Sequence, residues 1–267
     1  MKPRPSPPTA RRKGRRSRGS SRPSAIQPPI DVCLFDLDDT LYDCFGQRVR
    51  LAHRHAARAL SAAGVPATEA QIYRVRMQKF REDPHLKAID REVCQRFGVP
   101  YTDGLHQIAR QAYFHTPVGK LRLFPGVRRM LRWLKRRGLR NFIVSYGEPR
   151  IQHDKVRALA LDREPSVAKV FFADIGKIVT KDHLFESLLR NSGGDASRFL
   201  VVGDRPSSEI RAGKRLGMHA VRVRHGEFSR QEPQNDDERA DFEIRRVTDV
   251  LRLPYRFGHA ARRRAKR

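Results

Sequence analysis

The segment Leu34-Phe35-Asp36-Leu37-Asp38-Asp39-Thr40-Leu41 decides how this chain is read. It continues from Val32 and Cys33, so an apolar run ends abruptly on a carboxylate, and a second carboxylate follows two residues later. A short apolar run beside turn-forming residues reads as a buried strand. Alternate strand residues share a face, so Asp36 and Asp38 converge on one site if the chain stays extended that far. The carboxyl end of a core strand is where open α/β sheets bind ligands. Acids placed together there repel each other, and a shared divalent cation is one reason to tolerate them.

Downstream of this strand, residues 45–116 carry helical spacing and no strand signal. Leu51, Ala52, Ala56, Ala59 and Leu60 predict one helix, ended by Gly64-Val65-Pro66. Ile72, Val75 and Phe80 predict a second, Ile89, Val93 and Phe97 a third, and Leu105, Ile108, Ala109 and Ala112 a fourth. From residue 117 onward strands and helices alternate. Strands are expected at 141–145, 170–173, 199–202, 220–223 and 242–244, with helices at 127–138, 150–160, 182–190 and 207–216. Such alternation predicts a parallel sheet. The fold class is therefore α/β, a Rossmann-like parallel core formed by 31–44 and 117–254, with an all-helical insert at 45–116.

Composition adds a second theme. Lys and Arg number 56 against 29 Asp and Glu, a formal net charge of +27. Residues 1–30 hold nine basic residues and no acid, and the chain ends Arg262-Arg263-Arg264-Ala265-Lys266-Arg267. The segments 1–30 and 255–267 are expected to be basic tails. The first is expected to be disordered, because its Pro, Ser and Arg residues bury nothing. Charge of this kind suits polyanions, so a weak contact with nucleic acid through the tails is a second functional class. No apolar run approaches a membrane span. Cys33, Cys44 and Cys94 form no paired framework, which points to a reducing, cytoplasmic setting. The helix at 127–138 carries Arg128, Arg129, Arg132, Lys135, Arg136 and Arg137 opposite its apolar stripe, and is read as a core-packed helix with a solvated outer face. His53 and His55 do not share a helix face and are read as surface or cap residues.

Four groups sit at strand ends or in the turns after them: Asp36 with Asp38 and Thr40; Ser145 before Tyr146-Gly147; Lys181 ahead of a helix; and Gly203-Asp204 with Glu209. In this order they resemble the haloacid dehalogenase-like superfamily of phosphatases, over residues 31 to about 250. The resemblance implies a cap domain for the helical insert and a role for each group. Asp36 would be the nucleophile that forms an aspartyl-phosphate, and Asp38 the acid and base. Mg²⁺ would be held by Asp36, the Asp38 backbone carbonyl and Asp204, with Glu209 as a further candidate. Lys181 would neutralise charge, with Lys177 as a rival. Thr40, Ser145, Tyr146 and Gly147 would contact the substrate.

Two positions depart from the family pattern. Glu209 stands where a second Asp is usual, and Tyr146-Gly147 replaces the usual Asn. Dehalogenases of the family lack the second acid of the first motif, so Asp38 favours phosphoryl transfer. The expected activity is Mg²⁺-dependent hydrolysis of a small phosphorylated metabolite, with a phosphomutase as an alternative. Tyr42, Arg48, Tyr73, Arg76 and Lys79 are candidate cap side chains for substrate choice.

Overall fold

A computed structural model describes residues 29–83, 89–174 and 180–258. Strands β1 (Val32–Phe35), β2 (Arg140–Gly147), β3 (Val167–Asp174), β4 (Phe199–Gly203), β5 (His219–Val223) and β6 (Phe242–Ile244) form one sheet in the order β3-β2-β1-β4-β5-β6. Every neighbouring pair is parallel. The chain runs outward from β1 to β3, then returns to lay β4 on the other side of β1. This reversal opens a crevice beyond the carboxyl ends of β1 and β4.

The sheet is covered on both faces, which explains why β1 and β4 are apolar without interruption. Strand periodicity sorts their side chains. Cys33 and Phe35 of β1 join one apolar cluster with Ile143, Leu200 and Val202. Val32 and Leu34 join another with Phe142, Val144, Phe199 and Val201. The first face is covered by α5 (Val127–Arg136), through Val127, Met130, Leu131 and Leu134, and by α6 (Pro149–Ala158) through Val156. The second is covered by α7 (Lys181–Arg190), through Phe185 and Leu188, and by α8 (Arg211–Arg215) through Ala212. Each large apolar side chain fully buried here contributes about 1.5–3 kcal/mol.

Between β1 and α5 come α1 (Arg50–Ala62), α2 (Glu69–Glu82), α3 (Ile89–Arg96) and α4 (Asp103–Phe114). They enclose a core of their own made by Ala56, Ala57, Leu60, Ile72, Val93 and Ala109. Thr68 and Gln71 form a reciprocal cap at the start of α2, and Thr102 caps α4. A π-helical turn, Phe45–Val49, runs straight into α1.

Some expectations are corrected. Of the two readings of His53, surface or cap, the surface one fails: it lies in α1 of the helical insert, 3% exposed, with its ring against Phe80 and Tyr113. The outer face of α5 is not merely solvated. Arg128 and Arg132 converge on the buried carboxylate of Glu164 at 3.1 and 3.0 Å. The terminal boundaries also move. The backbone of Ile30 bonds to Arg256 and Gly258, and Phe257 is buried, so residues 255–258 belong to the folded body. Residues 1–28 and 259–267, and Lys177, lie outside the described residues. Among the described residues no helix is long and apolar enough to cross a membrane, and all three cysteines are buried and unpaired.

Candidate active site

Asp36 is the first residue past β1, its backbone N–H still bonded to Val202 of β4 at 2.9 Å. Lys181 Nζ lies 2.5 Å from its carboxylate and 2.8 Å from Oε2 of Glu209. Lys181 opens α7, where the helix dipole disfavours a cation, so the two carboxylates hold it there. Asp204 follows β4, and Glu209 sits in a π-helical turn, Pro206–Ile210. Gly203 has to be glycine, because a Cβ would run into the Glu209 side chain.

Carboxylate oxygens of Asp36, Asp204 and Glu209 all lie within 4.8 Å of one another, and all three residues are buried. Burial drives the Asp36 carboxyl up to about 7; Lys181 works against this, while Glu209 and Asp38 add to it. Burial, then the charges of Glu209 and Asp36, push Asp204 well above the usual carboxylate range. Burial also opposes ionisation of Glu209, but Lys181 and the Arg205 N–H, at 2.6 Å, hold it low. Three crowded oxygen donors with one ammonium among them are short of positive charge. That donor set fits a hard divalent cation such as Mg²⁺.

Asp38 does not stand in that cluster. The strand has ended, and its carboxylate faces Lys155 Nζ at 2.6 Å and Tyr42 OH at 2.7 Å. Burial opposes its ionisation, but the Lys155 charge and hydrogen bond, helped by Tyr42, hold it below the usual range. Gln152, one turn before Lys155 on α6, reaches Asp38 at 3.4 Å and the Tyr146 carbonyl at 3.1 Å. Ser145 donates to Gln152 at 3.1 Å. Asp39 has a left-handed backbone, φ 53°, and accepts from the N–H groups of Phe45 and Glu227. It thereby ties the π-helical turn at 45–49 to the loop after β5.

Asp36, Asp38, Tyr146, Gly147, Lys181, Asp204 and Glu209 line one cavity of about 290 Å³. Ser145 and Thr40 are buried but are not part of its wall; the Thr40 hydroxyl has no hydrogen-bond partner among the described residues. Among the further lining residues that the motifs do not include are Arg48, Gln152, Lys155 and Glu227. Burial, then the charge of Asp39, raises the Glu227 carboxyl to about 8. Of the cap candidates, Arg48 reaches the cavity and Tyr42 reaches Asp38. Arg76 is buried against Asp90, Tyr73 lies under Arg54, and Lys79 pairs with Glu82 and Glu92.

A family model of haloacid dehalogenase-like hydrolases matches residues 30–217. The glyceraldehyde 3-phosphate phosphatase of Methanopyrus kandleri is 31% identical over 226 residues, covering 83% of this chain and 96% of the relative. That of Pyrococcus abyssi is 32% identical over 203 residues, 74% of this chain and 82% of the relative. The crystal structure of a predicted phosphoglycolate phosphatase from Haemophilus somnus superposes with a TM-score of 0.63 at 19% identity, covering 84% of this chain and 97% of that one. At that identity the likeness is one of fold.

Proposed function

This chain belongs to the haloacid dehalogenase-like hydrolases, and on that premise we propose that it hydrolyses a small phosphate monoester through a phosphoryl group carried on Asp36. The observation that carries the reading is the placement of Asp36 and Asp38 in one cavity with unlike partners. Asp36 sits on Lys181 among further carboxylates; Asp38 sits on Lys155 and Tyr42. The curated relatives named as glyceraldehyde 3-phosphate phosphatases support a substrate of about that size.

In the first step an Asp36 oxygen attacks phosphorus, the bond from phosphorus to the leaving oxygen breaks, and Asp38 passes a proton to that oxygen. A phosphate dianion arriving beside Asp38 offsets the Lys155 charge and raises the affinity of Asp38 for that proton. In the second step Asp38 takes a proton from water, the water oxygen attacks phosphorus, and phosphate leaves with Asp36 restored. Lys181 keeps Asp36 and Glu209 from repelling the incoming anion. Asp36, Asp204 and Glu209, with the Asp38 backbone carbonyl, would hold Mg²⁺, which would neutralise charge on the phosphoryl oxygens. Gln152 fixes the Tyr146 backbone beside Asp38, a service that leaves Ser145 acting through Gln152.

Release of inorganic phosphate from p-nitrophenyl phosphate, with and without Mg²⁺, tests the reading. Wild type without activity, or Asp36→Asn with full activity, would sink it. A mutase instead isomerises a sugar phosphate without net phosphate release. The net charge of +27 favours one addition, an electrostatic contact with nucleic acid through 1–28 and 259–267. Binding to an oligonucleotide that persists at high salt, or survives removal of both segments, would argue against it. We propose a reducing compartment, the cytoplasm, because three scattered cysteines supply no disulfide framework in the sequence.

A further inference from the structure

Arg48 is 4% exposed and lines the cavity that holds Asp36, Asp38 and Lys181. Among the described residues its buried Nε and Nη2 meet no acceptor, and it has no ion-pair partner. The other buried cations nearby are matched. Lys181 has Asp36 and Glu209; Lys155 has Asp38. Arg222, wholly buried in β5, reaches Glu243 and the carbonyls of Asp204, Phe228 and Gln231.

A buried guanidinium without an anion is strongly disfavoured, and it cannot lose its proton to escape the cost. Glu227 shares the cavity, but its carboxyl is raised to about 8, so at neutral pH it brings little negative charge. The π-helical turn that carries Arg48 is itself an irregularity of the kind found at functional positions. Tyr113 and Phe114 of α4 form the cavity wall on the helical side with Arg48, whereas Asp36 and Lys181 come from the sheet side.

We propose that Arg48 binds a second anionic group of the substrate, a carboxylate or a second phosphoryl group, at the end remote from the transferred phosphoryl. This rests on the phosphatase reading and narrows it: the substrate is a small phosphate monoester that carries another acid. The planar fork of Arg48 matches two anionic oxygens at once. An alcohol or aldehyde at that end offers an acceptor but leaves the charge uncancelled.

The test compares three Mg²⁺-supported substrates of similar length: 3-phosphoglycerate, propane-1,3-diol bisphosphate and glycerol 3-phosphate. Wild type should favour one acidic ester over glycerol 3-phosphate by about 100-fold in kcat/KM, expressed mainly in KM, the scale of a charge-assisted bidentate contact. Which acidic ester wins separates carboxylate from phosphoryl. Arg48→Met should collapse the preference, and Arg48→Lys should restore part of it. Calorimetric binding of the same esters to Asp36→Asn, and to Asp36→Asn with Arg48→Met, reads the preference without turnover. A wild-type ratio near one, or a ratio that Arg48→Met leaves in place, overturns the assignment. Wild type that hydrolyses none of the three defeats the phosphatase reading; a binding preference lost on removal of Arg48 would still uphold the anion site.

Discussion

Lys155 Nζ lies 2.6 Å from Asp38 Oδ2, across 117 residues of sequence. The pair joins the middle of α6 to the turn after β1, and it sets the charge of the group proposed to move protons. Lys155→Met should lower kcat by about 100-fold, the scale of one acid–base contribution. Its effect should not add to that of Asp38→Asn, because both break the same contact. Steady-state kinetics on the two single variants and the double variant measures this; full additivity would show that Lys155 acts elsewhere.

Lys181→Met should separate catalysis from metal binding. Without the ammonium, Asp36, Asp204 and Glu209 keep their oxygens within 4.8 Å but lose the cation among them. Mg²⁺ should then bind more tightly and raise the melting temperature more than in wild type, while phosphate release falls by at least about 1,000-fold. Thermal melts across a Mg²⁺ titration read the first effect, and phosphate release the second. Weaker Mg²⁺ binding in the variant would contradict the charge argument.

Acid should weaken the fold through His53. Burial, reinforced by the charge of Arg76, lowers the His53 pKa to about 3, against about 6.5 for an unfolded chain. Above pH 6.5 neither state holds the proton and the residue contributes no slope. Between 6.5 and 3 the unfolded chain binds the proton and the folded chain does not, so stability falls as pH falls, by about 1.4 kcal/mol per unit. His53→Phe removes the titration and two unpartnered ring nitrogens. Urea unfolding at pH 7 and pH 5 should show a smaller loss in the variant than in wild type.

Gly226→Ala should cost about 1–3 kcal/mol. Gly226 has φ +66°, and a Cβ there would overlap the Asp39 carboxylate. Asp39 would have to release Phe45 or Glu227, loosening the turn that carries Arg48. Denaturant unfolding gives the stability change; a variant as stable as wild type would show that the turn tolerates the displacement.

The strand ends were legible in the sequence because a parallel strand buried on both faces leaves an unmistakable apolar run. Asp36 and Asp204 announce themselves as charges where such a run stops. The order of β1 and β4 in the sheet then brings them together. Lys155 and Gln152 were not legible. They lie mid-helix, where a polar residue facing a site has the same local pattern as one facing water. Arg48 is one of five candidates for substrate choice in the sequence, and its burial without a partner among the described residues singles it out from the rest. Ser145 closes a strand in the sequence pattern, whereas β2 runs on to Gly147 and the Ser145 hydroxyl is committed to Gln152, a contact fixed by how α6 packs on β2. Glu164 carries no local signal for Arg128 and Arg132, because the match is made across the face of α5.

The backbone of Ile30 is bonded on one side to Arg256 and on the other to Gly258. The chain therefore enters and leaves the described residues at neighbouring points, so the segments 1–28 and 259–267 are attached side by side. If residues 1–28 and 259–267 make the nucleic-acid contact proposed above, attachment at one place would make them a bivalent ligand: once one segment had engaged a polyanion, the other would be held at high local concentration beside it. Deleting either end should then cost more binding than its own charge accounts for.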